Sequence, residues 1–393
     1  MSEEKLVPKL RFSGFTDEWN EVTLNDVATF SKGKGISKND ISNYGIECVR
    51  YGELYTKYNE MIYNIESKTD LNKNELKLSE KNDILMPCSG ETAIDLATAS
   101  CIQKDQVAIG GDITVIKTNQ YAPFITYYLN QKKTEIAKYA QGVSIVHLYP
   151  KDFKVMNIRI PSINEQKMII GLLEEITKKE QLLESKYQQY QEYKKYLMQQ
   201  IFTQKLRFDD NCQYKTKQVK DFLIESKIEG IDDINKRLTV KLNLKGITVR
   251  ESKTIEIEGA TKQFIRKTGQ FIYGKQNLHK GAFGIIPKEL DGYLTSSDIP
   301  SFDFKGGIEP KWFYYYFARK LFYEKLENLS TGTGSKRISP KEFLNIKIIV
   351  PEFKEQHKIV CLLEKFDEKI NGISNQIVQM NMFKKSLLQQ MFV

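Results

Sequence analysis

The 393-residue sequence holds few cysteines and fewer histidines, and neither set is arranged for chemistry. Its five cysteines (Cys48, Cys88, Cys101, Cys212 and Cys361) lie far apart, without a C-x-x-C pair. An odd count with no framework spacing points to reduced thiols in a cytosol, not to a disulfide scaffold. The three histidines, His147, His279 and His357, are too dispersed for a metal cluster, so no zinc site is expected. Long apolar runs are missing as well. The apolar runs are only a few residues long, as at the Ile348-Ile349-Val350 end of 346–350, whereas a bilayer span needs about 20 apolar residues in a row. The opening MSEEKLVPKLRF lacks the apolar core of a signal peptide. Together these absences predict a cytoplasmic protein with no membrane association.

Catalytic signatures are also scarce. Gly332-Thr333-Gly334-Ser335-Lys336 ends in a lysine but misses the G-x-x-x-x-G-K-S/T spacing of a phosphate loop. It reads as a flexible loop which, beside Lys336-Arg337, is suited to tracking DNA phosphates. No glycine-rich turn joins a strand to a helix, and no Asn-Pro-Pro-aromatic tetrapeptide marks a methyl-transfer site. Acid-x-Lys triplets that a metal-dependent nuclease would use do occur, at Glu66-Ser67-Lys68, Glu225-Ser226-Lys227, Glu251-Ser252-Lys253 and Glu309-Pro310-Lys311. With 28% charged residues, several such triplets are expected by chance. Glu135 and His147 have no second partner at a convincing spacing. The sequence shows no catalytic engine, and no metal or cofactor is expected in this chain.

What is present is a soluble globular composition, 40% hydrophobic, at a length that suggests two or three domains. The net charge of +9 is unevenly placed: −1 over residues 1–160, 0 over 161–204, +9 over 205–350 and +1 over 351–393. The excess in the third segment hints at a polyanionic partner.

The most informative feature is an internal duplication. Residues 160–203 align without a gap to residues 350–393 at a constant offset of 190, with 15 identities in 44 positions. They include Pro161/Pro351, Glu165-Gln166/Glu355-Gln356, Leu172-Leu173-Glu174/Leu362-Leu363-Glu364 and Lys194-Lys195/Lys384-Lys385. Just upstream, Pro150-Lys151-Asp152-Phe153 matches Pro340-Lys341-Glu342-Phe343. Lys9-Leu10-Arg11-Phe12 recurs as Lys205-Leu206-Arg207-Phe208, and Leu24-Asn25-Asp26-Val27 resembles Val219-Lys220-Asp221-Phe222. Between these anchors the halves share little.

Each repeated segment reads as one long helix entered at Pro161 or Pro351, with no proline inside. Residues seven apart are apolar: Ile169, Ile176, Leu183, Tyr190 and Leu197 in one copy, and Ile359, Phe366, Ile373, Met380 and Leu387 in the other. A companion row holds Leu173, Tyr187 and Ile201, matched by Leu363, Ile377 and Met391, and is interrupted by Glu180, Lys194 and Lys384. Sustained sevenfold spacing predicts a coiled-coil seam. The intervening segment is long enough for a return in either direction, and antiparallel pairing is the orientation expected from the chain path. About 40 helical residues span roughly 60 Å.

Outside the helices the sequence reads as α+β. Residues 113–116, 155–160, 238–244, 271–273 and 346–350 are candidate strands. Gly110-Gly111-Asp112 is a turn, and 121–139 and 310–326 are aromatic-rich helices.

Taken together, the order of variable segment, helix, variable segment and helix resembles the DNA-specificity subunits of type I restriction-modification systems. Ile160-Pro161…Glu165-Gln166…Ile169-Ile170…Leu172-Leu173 is similar to that family's first conserved helix. Val350-Pro351…Glu355-Gln356…Ile359-Val360…Leu362-Leu363 is similar to its second. Pro8-Lys9-Leu10-Arg11-Phe12 and Trp19 also resemble family members. The resemblance implies a first target-recognition domain at 1–160, a spacer helix at 161–204, a second recognition domain at 205–350 and a second helix at 351–393. The helices would be long, antiparallel and coiled, in a pseudo-twofold arrangement. Each recognition domain would read one half of an asymmetric, split target in double-stranded DNA. Two methyltransferase subunits, bringing S-adenosylmethionine, would bind the helices, with Lys194, Lys195, Lys384 and Lys385 as candidate contacts. Motor-nuclease subunits would add ATP- and Mg-dependent translocation and cleavage. Two other classes remain open: a self-sufficient nuclease or methyltransferase with unrecognised motifs, and a coiled-coil scaffold that does not bind DNA.

Candidate DNA contacts are loops where glycine admits a phosphate and polar or basic side chains supply donors. In the first domain they are Lys32 and Lys34, Ser89 and Gly90, and Gln141, Gly142, Ser144 and His147. In the second they are Arg266, Tyr273, Lys275, Asn277 and Lys280, then Thr333, Ser335, Lys336 and Arg337. The charge asymmetry predicts that the second domain supplies most of the salt-sensitive affinity.

Overall fold

The computed structural model describes residues 7–142, 146–251, 259, 261–330 and 336–393. The chain divides into two compact units, Met1–Leu183 with Gln376–Val393, and Glu184–Asn375. Each unit contains one globular segment, the start of one long helix and the end of the other. The helices are Ile163–Phe202 and Phe353–Met391.

In the first unit the main sheet has five strands, in the order Ala28–Lys32, Ile113–Thr118, Ile84–Pro87, Ser100–Ile102 and Met61–Ile62. Ile113–Thr118 is antiparallel to both neighbours, and its β-branched ITVI run is buried, as suits an interior strand. Helix Ala122–Gln131, with proline in its first turn, joins the same core through Phe124, Ile125, Tyr128 and Leu129. The second unit repeats the plan with four strands, Leu223–Ser226, Ser301–Phe304, Phe271–Tyr273 and Phe283–Ile285. Its proline-opened helix Pro310–Phe317 supplies Trp312, Phe313, Tyr316 and Phe317 to the core.

The expected strands are present but shorter in places, as Asn157–Ile160, Leu238–Val240 and Lys347–Pro351. Both aromatic helices stop earlier than the sequence suggests. The first breaks at Lys132 (φ −96°, ψ 14°) and continues only as short turns to Tyr139. The second breaks at Arg319, whose backbone is extended (φ −71°, ψ 117°). The Arg319 guanidinium folds back over the Tyr316 ring at 4.0 Å and donates from Nε to the Tyr316 carbonyl, so the break is held in place.

The duplication is most exact in the hydrogen bonds. The side-chain Oε1 of Gln166 accepts from the Tyr121 N–H at 3.0 Å, and that of Gln356 accepts from the Glu309 N–H at 2.8 Å. Their amide groups donate to the Pro161 and Pro351 carbonyls at 2.9 and 3.0 Å. The Tyr128 hydroxyl accepts from the Arg159 N–H, and Tyr316 accepts from Ile349. Leu10 donates its N–H to the Gln390 carbonyl, as Leu206 does to Gln200. The repeated Asp26 and Asp221 carboxylates accept from the Thr23 and Gln218 N–H groups and close one-turn helices. Phe153 and Phe343, the repeated aromatics, are both buried.

The helices pair antiparallel within each unit. In the first, Ile169, Leu173 and Ile176 cluster with Leu387 and Met391. In the second, Ile359 and Leu363 join Met198 and Ile201, while the Phe366 ring meets Tyr190 and Tyr193. The polar interruptions of the heptad row are ion pairs inside the seam. Glu180 meets Lys384 at 3.3 Å, with side chains 10% and 16% exposed, and Lys194 meets Asp367, which also accepts from the Tyr315 hydroxyl at 2.6 Å. A lone charge at such a site is costly, whereas a matched pair fixes register. Glu180→Leu or Lys384→Met alone should cost about 3 kcal/mol by leaving the other charge without its partner. The double variant should recover most of that loss in urea denaturation. Simple additivity of the two losses would show that the pair is uncoupled.

Candidate nucleic-acid interface

The edge where the central strands end brings several of the expected contact residues together. In the first unit, strand Ile84–Pro87 continues through Cys88, whose N–H donates to the Asp112 carbonyl and whose carbonyl accepts from Leu148. Ser89–Gly90 then pairs antiparallel with Val146–His147, and Gln141 and His147 exchange backbone bonds of 2.9 and 2.7 Å. Gln141 and Gly142 are exposed and His147 half-buried. Lys32 reaches this edge through Asp112, with Nζ 3.6 Å from Oδ1 and both side chains solvated, and Lys34 is exposed two residues on.

The second unit builds the same corner. Lys275 donates its N–H to the Asp298 carbonyl and accepts from Ile338, the position 190 residues after Leu148. Arg337, the counterpart of His147, contacts Asp298 through Nη1 at 2.9 Å. Lys336 is exposed and lies 3.4 Å from Glu327. Asn277 organises the turn, its carbonyl accepting from both Lys280 and Ala282, and Gly281 has φ +73°, a conformation that suits glycine. Lys280 is exposed. Exposed pairs such as Arg337–Asp298 are weak in water, so these cations are free to trade a carboxylate for a phosphate.

Four expected contacts are buried. Arg266 is 1% exposed and belongs to the interior, where it donates to Thr295 Oγ1, Ser301 Oγ and the carbonyls of Ser226 and Ile299. Burial holds its pKa down at about 10. Tyr273 is fully buried between Phe302 and Phe343, its hydroxyl donating to the Ile338 carbonyl. These two are corrected from DNA contacts to core residues. Ser89 and Gly90 are also buried, and a Cβ on Gly90 would lie 2.9 Å from Leu96, so they shape the corner from beneath. Gly33 is required by its neighbour, because a Cβ there would lie 1.9 Å from the Gly110 carbonyl oxygen. Ser144, Thr333 and Ser335 fall outside the described residues.

Two residues that sequence reasoning passed over belong to the first corner. The Tyr149 ring lies parallel to His147 (3°, 5.8 Å between centroids), and Lys151 Nζ is 5.8 Å from Tyr149. Their position directly before the repeated Phe153 was the available signal. A flat, half-exposed aromatic beside a cation suits stacking and phosphate contact.

Among the described residues, no group of three or more His, Cys, Asp or Glu side chains is placed to hold a metal ion. Burial pushes the Cys48 thiol up to about 11 and Cys101 to about 12, and raises Cys88 and Cys212 as well, which leaves these four as poor nucleophiles. No described helix is long and apolar enough to cross a membrane.

Comparison with known proteins gives a consistent result. The sequence matches the family described as "Type I restriction modification DNA specificity domain" twice, over residues 16–192 and 213–379. The type I restriction enzyme MjaVIII specificity subunit of Methanocaldococcus jannaschii is 35% identical over 79 residues, 20% of this chain and 19% of that protein. The match therefore spans about a fifth of that relative's length. Three solved structures share the fold. The S subunit of a type I restriction-modification system from M. genitalium superposes with a TM-score of 0.63 at 15% identity, covering 98% of this chain and 99% of the other. A structure concerned with complex assembly and conformational transition of the type I R-M system gives 0.55 at 13%, covering 95% and 97%. The HsdS subunit from Thermoanaerobacter tengcongensis gives 0.51 at 13%, covering 100% and 98%.

The contrast between corner and core residues is measurable without DNA. Arg266→Met should lower stability by about 3 kcal/mol, because it strips four buried acceptors of their donor. Arg337→Ala should stay within about 0.5 kcal/mol of the parent. Denaturation midpoints compare the two; equal losses would contradict this placement.

Proposed function

The chain belongs to the type I restriction-modification DNA specificity family, and on that premise we propose that it selects the DNA sequence on which a multisubunit methyltransferase and nuclease acts. Residues 1–160 and 205–350 each read one half of a bipartite target, and the helices at 161–204 and 351–393 set the spacing and dock two methyltransferase subunits. The observation that carries this reading is one corner built twice on the same backbone plan with different side chains. Lys32, Gln141 and His147 stand at one, and Lys275, Lys336 and Arg337 at the other. Equal scaffolds with unequal tips favour an asymmetric target.

The contacts proposed for DNA are Lys32, Lys34, Gln141, Gly142 and His147 in the first domain, with Tyr149 and Lys151 added. In the second they are Lys275, Asn277, Lys280, Lys336 and Arg337. The chain itself carries out no reaction. S-adenosylmethionine is brought by the methyltransferase subunits, and ATP and Mg by motor-nuclease subunits, in the cytoplasm.

The test maps methylated adenines across the genome of cells with and without the chain. Methylation at one asymmetric two-part sequence is expected only when the chain is present. Arg337→Ala should relax one half of that sequence and leave the other intact. Lys336→Ala should weaken binding without relaxing either half and lower the salt slope by about 1. Methylation by the purified chain alone would favour a self-sufficient enzyme. Absence of any DNA footprint from the chain with its methyltransferase would favour a scaffold.

A further inference from the structure

The helix pair of each unit exposes an apolar patch, and the two patches occupy the same repeat positions. In the second unit, Tyr193 is 52% exposed and lies against Phe366, with Tyr190 beside it. Their counterparts 190 residues away are Phe383, Ile176 and Met380 of the first unit, and Phe383 is 53% exposed. Phe383 borders two clefts of about 360 and 410 Å³, which also expose Met380 and Lys179. The identities have changed from tyrosine to phenylalanine and methionine, yet an aromatic residue stands half in water at both places. Such exposure on a charged helix surface marks a contact face when it is grouped.

A charge accompanies each patch. Lys179 lines both clefts beside Phe383, and its repeat equivalent, Lys369, lies one helical turn beyond Phe366. Both lysines are exposed, and neither is among the ion pairs of the described residues, unlike Lys194 and Lys384, which are engaged within the seam. An apolar surface bordered by an uncommitted cation fits a protein segment that presents an apolar side chain next to a carboxylate. Duplex DNA is lined outside by phosphates and offers apolar groups only as thymine methyls recessed in the major groove, so it does not match such a face. A second copy of this chain is disfavoured as well, because two equivalent self-complementary patches per molecule would propagate into open assemblies.

We propose that Tyr193 and Phe383 are equivalent anchors for two copies of one partner chain, one copy on each unit, with a carboxylate of each copy meeting Lys369 or Lys179. This rests on the reading that methyltransferase subunits dock on the helices, and it adds where each copy binds and that each site is complete within its own unit.

The experiment co-expresses the full chain with the methyltransferase subunit of its own system and counts copies by native mass spectrometry. The parent should carry two. Tyr193→Glu and Phe383→Glu should each carry one, and the double variant none, with only small changes in the melting temperatures of the free chains because both side chains are about half exposed. If a Glu variant melts lower, Tyr193→Gln and Phe383→Gln provide the same comparison without added charge. Lys179→Glu and Lys369→Glu should each weaken uptake of one copy about tenfold, with the loss reduced at high salt. Two copies on every single variant, or loss of both copies from either one, would overturn the assignment while leaving the partner reading intact. A parent chain that takes up no methyltransferase would instead overturn the partner reading and the assignment with it.

Discussion

Each unit depends on a buried glutamine at the second turn of its long helix. Gln166 and Gln356 have one acceptor and two donor hydrogens with which to tie three chain segments together. The acceptor takes the first free N–H of the aromatic helix, and the donors reach the carbonyl of the proline at the junction between the preceding strand and the helix and a further acceptor, Gln120 or Gly307. A helix start leaves N–H groups unsatisfied, and in the interior each costs about 1–3 kcal/mol without a partner. The long helix, the aromatic helix and the last strand therefore share one set of polar bonds. Substituting a residue that cannot both donate and accept would leave a polar group stranded. That requirement explains why Glu-Gln survives in both copies while most of the surrounding helix has diverged.

The glutamate beside it shows how the copies differ. Glu165 receives two bonds from Arg11, at 2.7 and 2.8 Å, and a longer one from the Trp19 indole. Glu355 receives the Phe208 N–H instead, while Arg207 stacks on Tyr214. Both arrangements attach the K-L-R-F segment to the start of a long helix, one through a side chain and the other through the backbone. The same tetrapeptide thus does the same job by different bonds, which is how a duplicated frame tolerates sequence drift.

Most of the frame was legible because it repeats. Pro161, Gln166, Asp26, Phe153 and the heptad rows announce positions that backbone geometry constrains, and every one has a structural partner in the other unit. The paired tyrosines, Tyr127-Tyr128 and Tyr315-Tyr316, were harder to align because the aromatic helices are offset by 188 residues rather than 190. The corner was only partly legible. A basic residue in a basic stretch reads as exposed, and nothing in the composition distinguishes Arg266 from Lys275. What buries Arg266 is a set of neutral acceptors from residues 226 to 301, a long-range arrangement that local spacing does not report. In the seam, Glu180 and Lys384 looked like faults in a row until antiparallel pairing set them opposite each other.

This division of labour has a consequence for how such a chain changes. The bonds that hold each unit together run through the ends of the long helices, the first strand and the aromatic helix, whereas the corner residues hang from the opposite ends of the central strands. A substitution at Arg337 or Lys32 removes a solvated ion pair worth little to stability. The tips can therefore be exchanged without strain on the frame, and the frame can be copied without fixing what the tips recognise. The excess charge of the second recognition segment follows the same logic. Arg266 and Arg319 belong to the frame, but exposed cations such as Lys280, Lys336 and Arg337 sit where stability leaves the sequence free, so attraction to a polyanion can rise or fall there independently of the fold.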